Sequence, residues 1–263
     1  GLAEIPTGRV FGLINKTLEK LPSLSPENSD SNALKGKPLK AHKPLRILVT
    51  AGGTADNIDD VRTITNISTG KTGIALAEGF SDLGFEVVLM KSAASPESRV
   101  PDQKTFTDFK SLETLLKESL KTNSFDMIVH AAAVSDYSVS DVRHKGKSII
   151  GKNKKISSDF KTISIELVRN PKLISHFSKW NKSKKIPAIV AFKLLSGADS
   201  KQIKKSVEKL FADKYVSYVV SNDWQDYRIG KRVFQFWDRD GETTKAEGIQ
   251  ELLSQLALRV GAR

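Results

Sequence analysis

A β-branched apolar run, RILVT at 46–50, passes directly into the turn Ala51-Gly52-Gly53-Thr54. A buried strand that leaves its sheet through a two-glycine turn and is followed by helical periodicity restricts the chain to alternating strands and helices. The alternation continues. Ile74, Ala75, Leu76, Ala77, Phe80 and Leu83 give an apolar helical face that predicts a helix over 71–83, stopped by Gly84. Strands are predicted at 86–90, 127–132, 188–192, 215–220 and 232–237, and helices at 112–120, 199–213 and 246–258. Such an order calls for an α/β fold, a mostly parallel doubly wound sheet with helices on both faces. Ligands of these sheets bind off the carboxyl ends of the strands. Three polar segments fall there: Gly52-Gly53-Thr54, the run Ala131 to Asp136, and Asn222-Asp223.

The 263 residues contain no cysteine, which excludes disulfides, thiolate nucleophiles, Cys-based zinc sites and iron–sulfur clusters. No apolar run approaches the roughly 18 residues of a membrane span. The start, GLAEIPTGRVFG, lacks the basic and apolar regions of a secretion signal, so a cytoplasmic protein is expected. Residues 22–44 are rich in Ser, Pro, Asn and Lys, which is linker composition. The expected division is a flexible tail at 1–44 and a folded domain at 45–263. A net charge of +12, from 42 basic and 30 acidic residues, suits an anionic partner, either nucleic acid or a phosphorylated small molecule.

Several familiar sites are absent. Gly70-Lys71-Thr72 resembles the end of a P-loop, but the glycine required five positions earlier is Thr65. A short-chain dehydrogenase would need Lys four residues after Tyr137, where Asp141 stands. Asp126 with His130, or Asp141 with His144, supplies two ligands where zinc wants at least three, so no metal site built from side chains alone is expected. By contrast, LVTAGGTADNIDDVRTITNISTGKTGIALA, at 48–77, combines glycines, Asp59, Arg62, Asn66, Ser68-Thr69-Gly70 and Lys71. Core packing needs none of this. An anion site does, because backbone amides, hydroxyls and a guanidinium all donate hydrogen bonds. Asn170-Pro171 reads as a helix N-cap followed by proline at the first helical position, a second terminus able to bind an anion.

The stretch 48–77, AAAVSDY at 131–137, Lys152-Asn153-Lys154-Lys155, VRNP at 168–171 and the VSND before Trp224 together resemble the phosphopantothenoylcysteine synthetase (phosphopantothenate-cysteine ligase) family, over about 45–258. The resemblance implies a Rossmann-like domain that activates 4'-phosphopantothenate with CTP or ATP. Pyrophosphate leaves, and the acyl-nucleotidylate is transferred to L-cysteine in coenzyme A biosynthesis. Mg2+ and a homodimer are also implied. GLAEIPTGRVFG looks like the end of the flavin-dependent decarboxylase often fused ahead of this ligase, which implies a severed fusion or a vestige, with the decarboxylase fused or separate.

Carried over residue by residue, Asn66 holds the acyl intermediate for amine attack, and Arg62 grips the substrate phosphate. Ala133 lies beside the pantetheine arm. Lys152 belongs to a mobile flap that closes on the nucleotide. Gly52, Gly53, Thr54, Ala131, Ala132, Asp136, Pro171, Lys172, Leu173, Ile174, Phe192, Lys209 and Lys214 complete the nucleotide set. The chain departs from the family pattern at Lys172, where the family carries Asp, at Leu195, where many bacterial members carry an acidic residue, and at Leu210, where a lysine is usual. Two other readings remain open from sequence: an NAD(P)-dependent oxidoreductase on the same fold, or a non-catalytic nucleotide- or nucleic-acid-binding protein.

Overall fold

The computed structural model describes residues 43–150, 155–241 and 243–260. Of the expected tail, only Lys43 and Pro44 fall among them. In chain order the elements are β1 (Arg46–Ala51), β2 (Ala55–Asn57), β3 (Thr63–Thr65), α1 (Lys71–Asp82), β4 (Glu86–Ser92), β5 (Asp102–Phe106), α2 (Phe109–Thr122) and β6 (Met127–His130). Then come β7 (Tyr137–His144), β8 (Lys147–Ser148), β9 (Ser164–Arg169), a 3-10 turn (Leu173–His176), α3 (Phe177–Trp180) and β10 (Ala188–Leu195). The remainder is α4 (Ser200–Phe211), β11 (Val216–Asp223), α5 (Trp224–Arg228), β12 (Val233–Trp237), β13 (Thr243–Glu247) and α6 (Ile249–Val260).

Eight strands form the main sheet in the order β13-β12-β11-β10-β6-β1-β4-β5. The six from β11 to β5 are parallel, and β12 and β13 add an antiparallel edge. The sheet separates two apolar layers. On one face Ile47, Val49 and Leu89 pack with Ile74, Ala77 and Phe80 of α1 and Leu252, Leu253 and Leu256 of α6. On the other, Leu48, Val88 and Ile128 pack with Leu112 and Leu116 of α2, Phe177 of α3 and Val207 of α4. Successive residues of β1 thus serve opposite layers, which is why its apolar run is unbroken rather than alternating. Two helices are fixed by capping boxes. Asp108 accepts from the Ser111 N–H at the start of α2, and Asp199 from the Gln202 N–H at the start of α4.

The winding reverses between β1 and β6: β4 and β5 are added on one side of β1, and β10 and β11 on the far side of β6. The loops after β1 and β6 therefore face one crevice at the carboxyl ends of the strands.

Some boundaries differ from expectation. The last helix begins at Ile249 rather than 246, because Ala246 and Glu247 pair with Phe234 and Val233 in a hairpin and Gly248, at φ 99°, separates strand from helix. The β6 strand stops at His130, since Ala132 turns to the Thr50 side chain and Ala133 and Ser135 bond to Gly52 and Thr54 in the loop after β1. Asn170 does not cap a helix. Its N–H donates to the Asp136 carbonyl and its amide donates to the Ser135 carbonyl, which holds the end of β9 against the loop after β6. The turn that follows starts at Leu173 and is 3-10.

Candidate active site

The crevice floor is made of two loops joined by backbone bonds. The Ala133 N–H donates to the Gly52 carbonyl at 2.9 Å, and the Thr54 N–H donates to the Ala133 carbonyl at 3.3 Å. Below them, the Ser135 N–H donates to Thr54 Oγ1 at 2.9 Å and the Ala132 N–H to Thr50 Oγ1 at 3.2 Å. Both threonines are fully buried, so their hydroxyls serve the scaffold. Gly52 must be glycine: at φ 90° a Cβ would lie 2.3 Å from Ser95 Oγ and 2.6 Å from Ser92 Cβ.

The chain then crosses over this floor. Asn66, exposed after β3, donates its amide to the Ala133 carbonyl at 3.2 Å. Gly70, at φ 74°, turns the chain into α1 without a side-chain cap. A Cβ on Gly70 would approach Gly52 N to 3.0 Å, so the two glycines let the loops nest. The first intrahelical bond of α1 is made by the Ile74 N–H to the Gly70 carbonyl. The N–H groups of Lys71, Thr72 and Gly73 therefore have no acceptor within the helix and carry the positive end of its dipole. They open into a cleft of about 150 Å³. One wall is 67–73; the floor includes Ala131, Ala132 and Ala133; the other wall is Phe192, Leu194, Asn222, Trp224, Tyr227 and Phe234.

Next to the floor, His130 Nδ1 lies 2.9 Å from Thr50 Oγ1 and its ring packs edge-on to Phe177. Thr50 Oγ1 also accepts the Ala132 N–H, and it can either donate to Nδ1 or accept from it, so either tautomer of the neutral ring is accommodated. Burial pushes the His130 pKa down from 6.5 to about 4. The unfolded chain therefore takes up a proton that the folded one refuses. Stability is expected to be unaffected by this group above pH 6.5, and to fall by about 2 kcal/mol as pH drops towards 4, after allowance for the part of the ring that meets solvent. Urea midpoints from pH 7.5 to 4.5 check this: His130→Gln should show a flatter profile, and identical slopes would refute it.

The structure gathers some of the expected residues and disperses others. Asn66 stands over Ala133, and Ala131, Ala132, Ala133 and Phe192 line the cleft. Gly52, Gly53 and Thr54 form its rear support. Asp136 and Lys172 pair with each other at the surface. Pro171 is exposed, Leu173 is buried in the layer under α2 and α3, and Ile174 packs against that layer, so neither aliphatic side chain is offered to a ligand. Arg62 is engaged through Nε and Nη2. Its Nε donates to Asp59 Oδ2 at 2.9 Å and its Nη2 to the Ile156 carbonyl at 2.7 Å. That guanidinium, helped by the N–H groups of Ile156, Val61 and Arg62, holds the Asp59 carboxyl well below the usual carboxylate range. Arg62 thus ties the loop after β2 to the chain near 156.

Lys209 and Lys214 do not line this cleft. The helix α4 starts after the carboxyl end of β10 and runs back to the amino end of β11, and Lys214 precedes Val216 there. Asn222, at the cleft, is six strand positions beyond Val216, about 20 Å away at ~3.3 Å per residue. Within one chain these lysines lie at the opposite end of the sheet. Lys152 lies outside the described residues. Sequence reasoning left Leu194, Trp224, Tyr227 and Phe234 unassigned, although the position of Trp224 directly after a strand-end Asn-Asp was a usable signal.

The sequence pattern of the DNA/pantothenate metabolism flavoprotein C-terminal domain matches residues 42–251. The chain belongs to this family. It is 34% identical over 188 residues to the coenzyme A biosynthesis bifunctional protein CoaBC of Methanocaldococcus jannaschii, covering 70% of this chain and 42% of that one. With CoaBC of Escherichia coli the identity is 26% over 226 residues, 84% of this chain and 52% of the relative. The chain thus spans about half the length of these relatives or less. A family structure from Streptococcus pneumoniae superposes with a TM-score of 0.72 at 25% identity, covering 83% of this chain and 99% of that one. A Cab2 variant in complex with phosphopantothenate-cysteine shares the fold, with a TM-score of 0.61 at 18% identity over 82% of this chain and 86% of that one.

Proposed function

We propose that this domain is the ligase that joins 4'-phosphopantothenate to L-cysteine through an acyl-nucleotidylate, with release of pyrophosphate. The observation that carries this reading is one cleft in which the free N–H groups at the start of α1 share a floor, Ala133, with the Asn66 amide that donates to its carbonyl. A carboxylate is a poor electrophile, and both reactants of its activation are anions. Amides fixed by the fold bind such charge without reorganising during reaction. Triphosphate oxygens are assigned to the start of α1 and the acyl group to Asn66 and the Ala133 backbone. Lys152 is assigned to the nucleotide phosphates by resemblance. The decisive assay is pyrophosphate release in the presence of phosphopantothenate, cysteine and each triphosphate in turn.

Among the described residues there is no group of three or more His, Asp or Glu side chains able to hold a metal ion, and Asp136 is engaged by Lys172. Mg2+ is therefore assigned to the nucleotide, as the Mg2+–triphosphate substrate, which fits its habit of binding phosphate oxygens and water. Excess EDTA is expected to abolish pyrophosphate release; undiminished release would remove the ion from the reaction. Among the described residues no helix is long and apolar enough to cross a membrane. We further assign the domain to a cytoplasmic homodimer, a state that sedimentation of the purified chain would test.

A further inference from the structure

The cleft has two chemically different ends. At one, α1 offers backbone N–H groups and the side chain of Lys71. At the other is an aromatic wall. Trp224 and Tyr227 are stacked, with ring centroids 5.5 Å apart and planes 11° from parallel. The Arg232 guanidinium lies 3.8 Å from the Tyr227 ring centroid. Leu194, 48% exposed, and Phe192 extend this wall along the strand ends. The wall is fixed from behind by Asp223, which accepts from the Gln225 N–H at 2.7 Å and from the Gly197 N–H at 2.9 Å. A ligand that satisfies both ends must join a flat aromatic group to several negative charges.

We propose that Trp224, braced from behind by Tyr227, is the base platform of this cleft and that it selects a purine triphosphate, ATP, over CTP. The proposal rests on the ligase reading for the orientation of the nucleotide, phosphates at α1 and base at the wall. Stacking on aromatic side chains grows with the area of the base, so a bicyclic ring gains more from this wall than a pyrimidine. The Asn222 amide does not make the distinction, because its donor and acceptor suit an amino group beside a ring nitrogen in either adenine or cytosine. Ring size on the platform decides.

Equilibrium titration of the full chain with Mg2+–ATP and Mg2+–CTP is expected to give about 10-fold tighter binding of ATP. Trp224→Ala should weaken ATP about 10-fold while changing CTP by less than about 3-fold, and Trp224→Phe should keep most of the preference. Tyr227→Leu gives the same comparison if the Trp224 variant does not fold. Equal affinities in the parent protein, or equal losses for both nucleotides in the variants, would overturn the platform. Those results would leave the ligase reading standing if pyrophosphate release persists. Conversely, selective ATP binding without any pyrophosphate release would sink the ligase reading and keep the platform.

Discussion

Asn66→Asp is expected to lower product formation by about 100- to 1000-fold while activation of the carboxylate continues. The Asn66 amide donates to the Ala133 carbonyl, which orients the side chain over the floor. In the proposed reaction, negative charge builds on the acyl oxygen as the amine of cysteine attacks, and an amide N–H would stabilise it. A carboxylate cannot donate. It would also set two acceptors, its own oxygen and the Ala133 carbonyl, against each other. The defect should therefore fall on transfer and not on pyrophosphate release in the first turnover. Rapid-quench mass spectrometry should find accumulated acyl-nucleotidylate, and an absence of intermediate, or wild-type turnover, would remove Asn66 from this role.

Gly73→Ala should destabilise the domain although alanine is the better helix former. The gain in propensity is about 1 kcal/mol. Against it, the new Cβ would meet Ala51 Cβ at 2.7 Å, the Thr50 carbonyl oxygen at 3.1 Å and Ala51 Cα at 3.2 Å. These atoms belong to the central strand β1 and cannot swing aside, so overpacking of about 1 to 3 kcal/mol outweighs the gain. Gly73→Val should cost more. Relief requires α1 to lift from β1, which carries the N–H groups of Lys71 and Thr72 away from the cleft. Nucleotide affinity should then fall together with Tm. A Tm equal to or above that of the parent would show that α1 does not depend on this close approach.

The central strands and the helices α1, α2 and α4 were legible because burial on both faces of a parallel sheet leaves unbroken apolar runs and long helical stripes. The strands β2, β3 and β5 and the small sheet β8-β7-β9 were not, because they are short or largely exposed and carry little apolar signal. The strand-end positions of Gly52–Thr54 and Ala131–Asp136 were legible from the apolar runs before them, but the bonds that join the two loops into a floor were not. The surroundings of Lys209, Lys214 and Arg62 were not legible. A lysine read from spacing along a helix says nothing about which end of the sheet that helix has reached, and Arg62 finds its partner at Ile156, 94 residues away.

The bond between Thr54 and Ser135 spans 81 residues of chain. Closing a loop of that length costs about 4 kcal/mol by the logarithmic scaling of chain entropy, beyond its constant part. That cost is met once, when β1 and β6 come together, and not again at each encounter with a ligand. A floor assembled this way needs both strands, so a truncated fragment ending before β6 would possess the glycine turn and have nothing beneath it. The making of the floor thus belongs to the non-local pairing of β1 with β6 and not to local turn formation.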